Sequence, residues 1–334
     1  MGGGASKLHS MRQDLRGKHY MVTGANTGIG YATVRELAKM GAKVTLACRS
    51  EERGRAAIEK LRSEALEKPV KEGLSLQEGV SDVDVELQVL DLGSIQSVTD
   101  CAKRMRQAGT KIDSLINNAG IMAIPERKET VDGFEQQLGV NYVGHHVLTR
   151  LLEPLIVDGG RVVFLTSAGH EGIPGMFFIT FEWDNINFDK PDSYEAWQAY
   201  GRSKLGNIFD AQEFSKRLAG RGITTYAVHP GAVETELRRD IKLDGNSLGI
   251  RVAKVVEPMF PYFFATPVVG ALTSLKCALD PAVGKPEMSG KYWSDMKEKK
   301  PSALALDPSS PARYWAIMEE MIEAKLGKKV DDLI

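Results

Sequence analysis

Cysteine is scarce in this chain. Only Cys48, Cys101 and Cys277 occur in 334 residues, far apart and never as Cys-x-x-Cys. That argues against a disulfide framework and a thiolate zinc site, and it fits a reducing compartment. The six histidines show no metal-ligand spacing, so no metal is expected. An excess of charge of one sign is missing too: 43 Lys and Arg face 44 Asp and Glu, a formal net charge of −1. A general nucleic-acid binder needs a basic face, so no nucleic-acid partner is expected. No apolar run reaches the roughly 18 residues that span a bilayer. The most apolar stretch, 255–267, is short and carries Pro258, Pro261 and Pro267. The polar, Gly-rich start shows no cleavable leader. There is neither a Pro/Gly/Ser-rich linker nor an internal repeat, so residues 17–334 read as one domain behind a flexible tail, 1–16.

That tail begins Met-Gly-Gly-Gly-Ala-Ser, which matches the N-myristoylation pattern with Gly2 as acceptor. An unmodified tail is the alternative. One acyl chain anchors only weakly, and Lys7, Arg12 and Arg16 would add attraction to an acidic surface. The expected location is cytoplasmic, with acylated Gly2 as a route to peripheral membrane contact.

What is present is a regular alternation. A strand at 18–23 runs into Thr-Gly-Ala-Asn-Thr-Gly-Ile-Gly at 23–30, and a helix follows over 31–40, closed by Gly41. Strands are expected at 42–48, 83–90, 114–117, 161–167 and 224–229, and helices at 51–67, 94–108, 132–152 and 197–218. Ser94 is placed to cap its helix. Near-continuous apolar strands alternating with helices predict an α/β fold: a single doubly wound parallel sheet with helices on both faces. Two stretches interrupt the pattern. Residues 68–82 are polar and Gly-bearing, as in a surface loop. Residues 234–267 suit either a cover over a pocket or a peripheral helix pair.

Gly24, Gly28 and Gly30 sit between a strand and a helix, with Asn26, Thr27 and Ile29 in the same turn. Glycines there let backbone approach a pyrophosphate, which rests on the positive end of the helix. An acid at the end of the second strand would bind the ribose 2′-hydroxyl of NAD. This chain has Ala47-Cys48-Arg49-Ser50 instead, so a 2′-phosphate and NADP(H) are favoured. Asp91 and Leu92 follow the third strand where adenine would be edged. Asn118, Ala119 and Gly120 follow the fourth, and Pro230, Gly231 and Val233 follow the strand at 224–229.

Tyr200 and Lys204 are four residues apart, on one face of a helix. A phenol titrates near 10, and a neighbouring ammonium would pull that value down. Bringing it to neutrality takes roughly 4 kcal/mol, about three pKa units. A tyrosine so tuned exchanges a proton with a carbonyl oxygen or an alcohol. Alone, the spacing also describes a half-buried aromatic beside a solvated cation.

Together these residues resemble the short-chain dehydrogenase/reductases over most of 18–235. The resemblance rests on Thr23 to Gly30, Asn117-Asn118-Ala119-Gly120, Asn141 in Val-Asn-Tyr-Val-Gly, Ser167 in Phe-Leu-Thr-Ser, Tyr200 to Lys204, and His229-Pro230-Gly231. Leu-Ala-Cys-Arg-Ser, Ala-Tyr-Gly-Arg-Ser-Lys-Leu and Gly-Lys-Tyr-Trp-Ser-Asp at 290–295 are most similar to the retinol-dehydrogenase-like branch. That branch uses NADP(H) on lipophilic aldehydes, ketones or alcohols. The resemblance implies a tetrad. Asn141 would hold a relay water, Ser167 would bind the substrate oxygen, Tyr200 would be the acid/base, and Lys204 would bind the ribose and depress the tyrosine. It also implies a homodimer through the helices bearing Asn141 and Tyr200. His145 and His146 read as structural or solvent-facing. The segment between Ser167 and Tyr200 is long and carries Phe177, Phe178, Phe181, Trp183 and Trp197, either pocket wall or core. The family does not explain 68–82. A catalytically idle NADP(H) sensor that docks a partner is the competing reading; filled tetrad positions weigh against it.

Overall fold

The computed structural model describes residues 3–66, 73–173, 177–233 and 265–334. The strands are β1 (His19–Thr23), β2 (Lys43–Cys48), β3 (Asp84–Val89), β4 (Ile112–Asn117), β5 (Ile156–Leu165), β6 (Gly172–Ile173), β7 (Phe177–Phe178), β8 (Thr224–His229), β9 (Lys291–Ser294) and β10 (Lys297–Lys299). Eight of them form one sheet in the order β10-β9-β8-β5-β4-β1-β2-β3, with β6 and β7 a separate small hairpin. All pairings in the large sheet are parallel except β9–β10, an antiparallel edge. That edge strand reads Lys-Glu-Lys and is fully exposed, which discourages further strands from adding to it. The expected parallel sheet is present, and β10 is the one departure.

The helices are α1 (Gly3–Ser10), α2 (Gly28–Lys39), α3 (Glu51–Leu66), α4 (Ile95–Gln107), α5 (Gln136–Leu138), α6 (Gly144–Leu152), α7 (Ala196–Arg217), α8 (Pro267–Leu279), α9 (Ala303–Leu306) and α10 (Ser310–Leu326). The sheet separates two cores. On one face α2, α3 and α8 bury Leu37, Leu61 and Leu275 against Val44, Leu46 and Val163. On the other, α4, α6, α7 and α10 bury Val98, Val147, Phe209 and Met318 against Leu115, Val162 and Phe164. Each large apolar side chain so buried contributes about 1.5–3 kcal/mol. Both faces being covered is why the central strands read as nearly continuous apolar runs. Strand order reverses between β1 and β4, and that switch opens a crevice at their C-terminal ends.

Several expectations change. The stretch taken as a flexible tail carries α1, because Leu8 and Leu15 find apolar cover in the core beneath α2 and α8. Arg12 then clamps the described part of the 68–82 insertion, reaching Gln77 Oε1 (3.0 Å), Ser75 Oγ (3.0 Å) and the Leu76 carbonyl (2.8 Å). Leu74 is buried there, and its N–H donates to Glu36 at 2.8 Å. Residues 73–82 are a loop at the surface, as expected, and that loop is docked on α2. The helix expected over 132–152 is broken by a π-turn, Gly139–Val143, between α5 and α6. Of the 234–267 segment, residues 234–264 lie outside the described residues. Its end is ordered by Ala265, which bridges to Val233, and by Thr266, which caps α8 with Pro267 at its first position.

α10 packs on α6 and α7. Trp315 lies 4.5 Å from the His146 ring and 4.8 Å from Phe214, and Tyr314 lies 4.9 Å from Tyr142. Phe181 and Trp183, half-buried, pack against this cluster around Phe209 and Tyr314. Among the described residues no helix is long and apolar enough to cross a membrane.

Candidate active site

The crevice begins at the glycine turn. Gly24 and Gly28 adopt φ values of +61° and +59°, a left-handed region open to glycine. A Cβ on Gly30 would stand 2.5 Å from Asn118 Nδ2 and 2.6 Å from the Gly24 carbonyl. One on Gly24 would meet Ala119 Cα at 2.8 Å. The turn is thus packed against the end of β4 as tightly as backbone allows. Thr27, the N-cap of α2, makes no side-chain cap hydrogen bond. The first-turn N–H groups of α2 are therefore free of a capping oxygen, as an anion site at a helix N-terminus requires. Asn26, Thr27, Gly28 and Ile29 are half-buried along this cradle. Gly270 of α8 lets Ile29 and Val233 approach: its Cβ would meet them at 3.1 Å and 2.6 Å. Pro230 and Gly231, half-buried at the same rim, lead into Val233.

At the end of β2, Arg49 is exposed and Ser50 Oγ accepts the Arg53 N–H at 3.2 Å. Asp91 is held by its own turn, with Oδ1 accepting Gly93 N–H at 2.9 Å. Leu92 is buried against α6, where a Cβ on Gly144 would meet its carbonyl at 2.4 Å. The uncapped helix start and the glycine cradle together fit the pyrophosphate of a dinucleotide. Among the described residues no group of acids, histidines and cysteines could hold a metal.

The turn after β4 is tied from both sides. Thr23 Oγ1 accepts the N–H groups of Asn118 (2.9 Å) and Ala119 (3.0 Å), and Asn118 Nδ2 donates to the Thr23 carbonyl at 2.7 Å. From behind, Asn141 Oδ1 accepts Ile121 N–H at 2.8 Å, and its Nδ2 donates to the Ile121 carbonyl (2.9 Å) and Ser203 Oγ (3.0 Å). The Asn141 amide, carried on the π-turn, is thereby saturated as a donor, which leaves its side chain no hydrogen to offer a water. Such π-turns commonly mark functional sites.

Ser167 leaves the end of β5 and caps a short 3-10 turn, its Oγ accepting Gly169 N–H at 3.0 Å. Tyr200 rises from α7 with its ring beside Ser167 and Gly169. A Cβ on Gly169 would meet the Tyr200 ring at 3.1 Å and Ser167 Oγ at 3.3 Å, so glycine is needed for the two to meet. Lys204, one turn along, is buried; its Nζ lies 5.9 Å from the Tyr200 ring centre and donates to the Leu165 carbonyl at 3.0 Å. A Cβ on Gly120 would fall 3.2 Å from Lys204 Nζ and 3.3 Å from Asn141 Oδ1. All four expected tetrad residues therefore converge on one end of the crevice.

The electrostatics differ from expectation. Burial pushes the Tyr200 phenol above its ordinary value, and the neighbouring Ser167 hydroxyl only partly opposes this. Burial lowers Lys204 itself to about 7. Removing a cation from water without a carboxylate beside it disfavours its charge. Sequence reasoning missed Ser203, Gly169 and His170. His170 Nδ1 lies 2.6 Å from the Ser167 carbonyl, while its Nε2 accepts Ser302 N–H at 3.0 Å. Trp197 stands perpendicular to Tyr200 at 6.2 Å, whereas Phe178 is exposed.

The short chain dehydrogenase family pattern matches residues 18–178. Retinol dehydrogenase 14 of Homo sapiens is 37% identical over 92% of this chain and 87% of its own length. Retinol dehydrogenase 12 of Mus musculus is 36% identical over 92% and 87%. An uncharacterized protein from Mycobacterium Paratuberculosis, 29% identical, superposes with a TM-score of 0.68 over 92% of this chain and 94% of its own. An angucycline C-6 ketoreductase solved with bound NADP shares the fold at a TM-score of 0.58 and 21% identity, over 84% of this chain and 95% of its own. The crevice, the strand order and these likenesses agree: the chain belongs to the short-chain dehydrogenase/reductases, an oxidoreductase family, in their retinol-dehydrogenase-like branch.

Proposed function

We propose that this chain is an NADP(H)-dependent oxidoreductase that interconverts a lipophilic carbonyl compound and its alcohol. The observation that carries the reading is the meeting of Tyr200 and Ser167 beside Gly169 at the crevice edge, with Lys204 buried one turn below. When bound, the dinucleotide supplies or accepts the hydride. Ser167 orients the substrate oxygen. Tyr200 passes its hydroxyl proton to that oxygen in reduction and takes it back in oxidation. Burial holds Tyr200 in its protonated form, which suits the role of proton donor. Arg49, with no acid at the end of β2, favours the 2′-phosphate of NADP(H). The relatives' names point to a retinoid-like substrate, and Trp197 beside Tyr200 offers it an apolar wall.

The test is oxidation of NADPH, against NADH, with a panel of lipophilic aldehydes and ketones that includes retinal. NADPH-dependent turnover supports the reading. Tight NADPH binding with no carbonyl turned over would leave the idle sensor as the account. Peripheral membrane contact through acylated Gly2 is a separate proposal; mass spectrometry of the mature N-terminus checks it, an unmodified Gly2 ending it.

A further inference from the structure

His145 lies on the first turn of α6, fully buried, with both ring nitrogens engaged. Nε2 is 2.8 Å from Thr23 Oγ1, and Nδ1 is 3.0 Å from the Asn141 carbonyl oxygen. Counting protons fixes the direction of each bond. Thr23 Oγ1 already accepts two backbone N–H groups, from Asn118 and Ala119. Both of its lone pairs are then used, so its own proton goes to Nε2. Nε2 is an acceptor, and Nδ1–H donates to the Asn141 carbonyl, which can only accept. One ring therefore joins the two holders of the 117–121 turn: Thr23, which grips Asn118 and Ala119 from the front, and Asn141, which grips Ile121 from behind.

We propose that His145 is a positioning residue that sets the dinucleotide-facing turn after β4 relative to the π-turn bearing Asn141, and that it acts as the neutral Nδ1–H tautomer. The structural part stands on hydrogen-bond geometry alone; its effect on turnover rests on the function proposed above. Burial, with Lys204 nearby, lowers the ring to about 3, so the tautomer persists through the neutral range. The bridge needs an acceptor and a donor about one ring apart on a single buried side chain. An amide reproduces half of it. Gln carries its carbonyl oxygen near the Nε2 position and keeps the Thr23 contact; Asn carries its NH2 near the Nδ1 position and keeps the Asn141 contact.

Two measurements on the full chain test this. Long-range 1H–15N correlation on 15N-histidine protein, with the His145 signal identified from its loss in His145→Gln, should show a neutral Nδ1–H ring from pH 5 to 8. An Nε2–H ring or an imidazolium would overturn the proposal whether or not the protein turns over any carbonyl. NADPH titration and carbonyl reduction then separate the two contacts. His145→Asn should weaken NADPH binding by about tenfold, the cost of one orphaned buried polar group, and more than it lowers kcat. His145→Gln should do the reverse, lowering kcat on the order of tenfold or more, within what a misplacement of an ångström costs. Thr23→Val loses the same His145 contact and also orphans the Asn118 and Ala119 N–H groups, so it should weaken NADPH binding more than His145→Asn, and the double variant should be no worse than Thr23→Val alone. Equal losses in both quantities for both amides, or strict additivity with Thr23→Val, would show a merely structural histidine. If wild type binds NADPH but reduces nothing, the proposed function fails, while the tautomer and the Thr23 coupling in NADPH affinity still decide the role of His145.

Discussion

His145 and His146 are neighbours on one helix turn, both fully buried, and their surroundings drive them to opposite charge states. His145 faces a hydroxyl and a carbonyl, and burial lowers it to about 3. His146 also suffers the burial penalty, but Asp210 at 3.0 Å and Glu319 at 2.9 Å outweigh it and raise it to about 9. Arg150 extends that cluster, pairing with Glu319 and with Asp331. The difference shows that depth alone does not set charge here; carboxylates do. The crevice side of α6 and α7 is built from neutral hydrogen bonds and one lysine lowered to about 7. The far side is a buried ion cluster that fastens α10. One region is kept poor in fixed charge, as a site that handles a hydride and a proton would need. The other spends its charge on holding the C-terminal helix.

Asp210→Asn attacks the charged side and should be the most costly change. Breaking a buried pair costs about 3–5 kcal/mol, read by urea unfolding at pH 7. A loss below that of Thr23→Val, which orphans neutral partners at about 1–3 kcal/mol, would break the comparison. The pH dependence sharpens it. His146 titrates higher folded (about 9) than unfolded (6.5), so its stabilisation is complete below about 6.5 and is lost as pH rises through about 9. About 3 kcal/mol should disappear over that window in pH-dependent unfolding of wild type, and the loss should be absent in His146→Gln. Ser94→Ala removes the cap whose Oγ accepts Ser97 N–H and should cost about 1 kcal/mol, well away from either region. Smallest is Arg49→Ala. An exposed charge pair is worth about 1 kcal/mol or less, so KM for NADPH should rise a few-fold with little change for NADH.

Much of the sheet was legible because local rules and global packing agree. The glycine turn, the Ser94 cap and the buried apolar strands each announce themselves within a few residues. What escaped depends on partners far along the chain. α1 is fixed by burial of Leu8, and the 73–82 segment by Arg12, more than 60 residues away. α10 is fixed by Trp315 and Glu319 meeting His146. The tetrad could be named from motif, yet its electrostatics could not: the i, i+4 spacing of Tyr200 and Lys204 suggested an ammonium tuning a phenol, while burial acts on both and moves each toward its neutral form. The opposite fates of His145 and His146 were equally hidden, since nothing in a His-His pair says which ring will meet carboxylates.

The proposed function has Tyr200 move the proton at a crevice that binds NADP(H). Measuring NADPH affinity and carbonyl turnover together in Tyr200→Phe tests it most directly. The variant should still bind NADPH while turnover falls by about 10²–10⁴-fold, the range for a lost general acid. Turnover equal to wild type in that variant would contradict it.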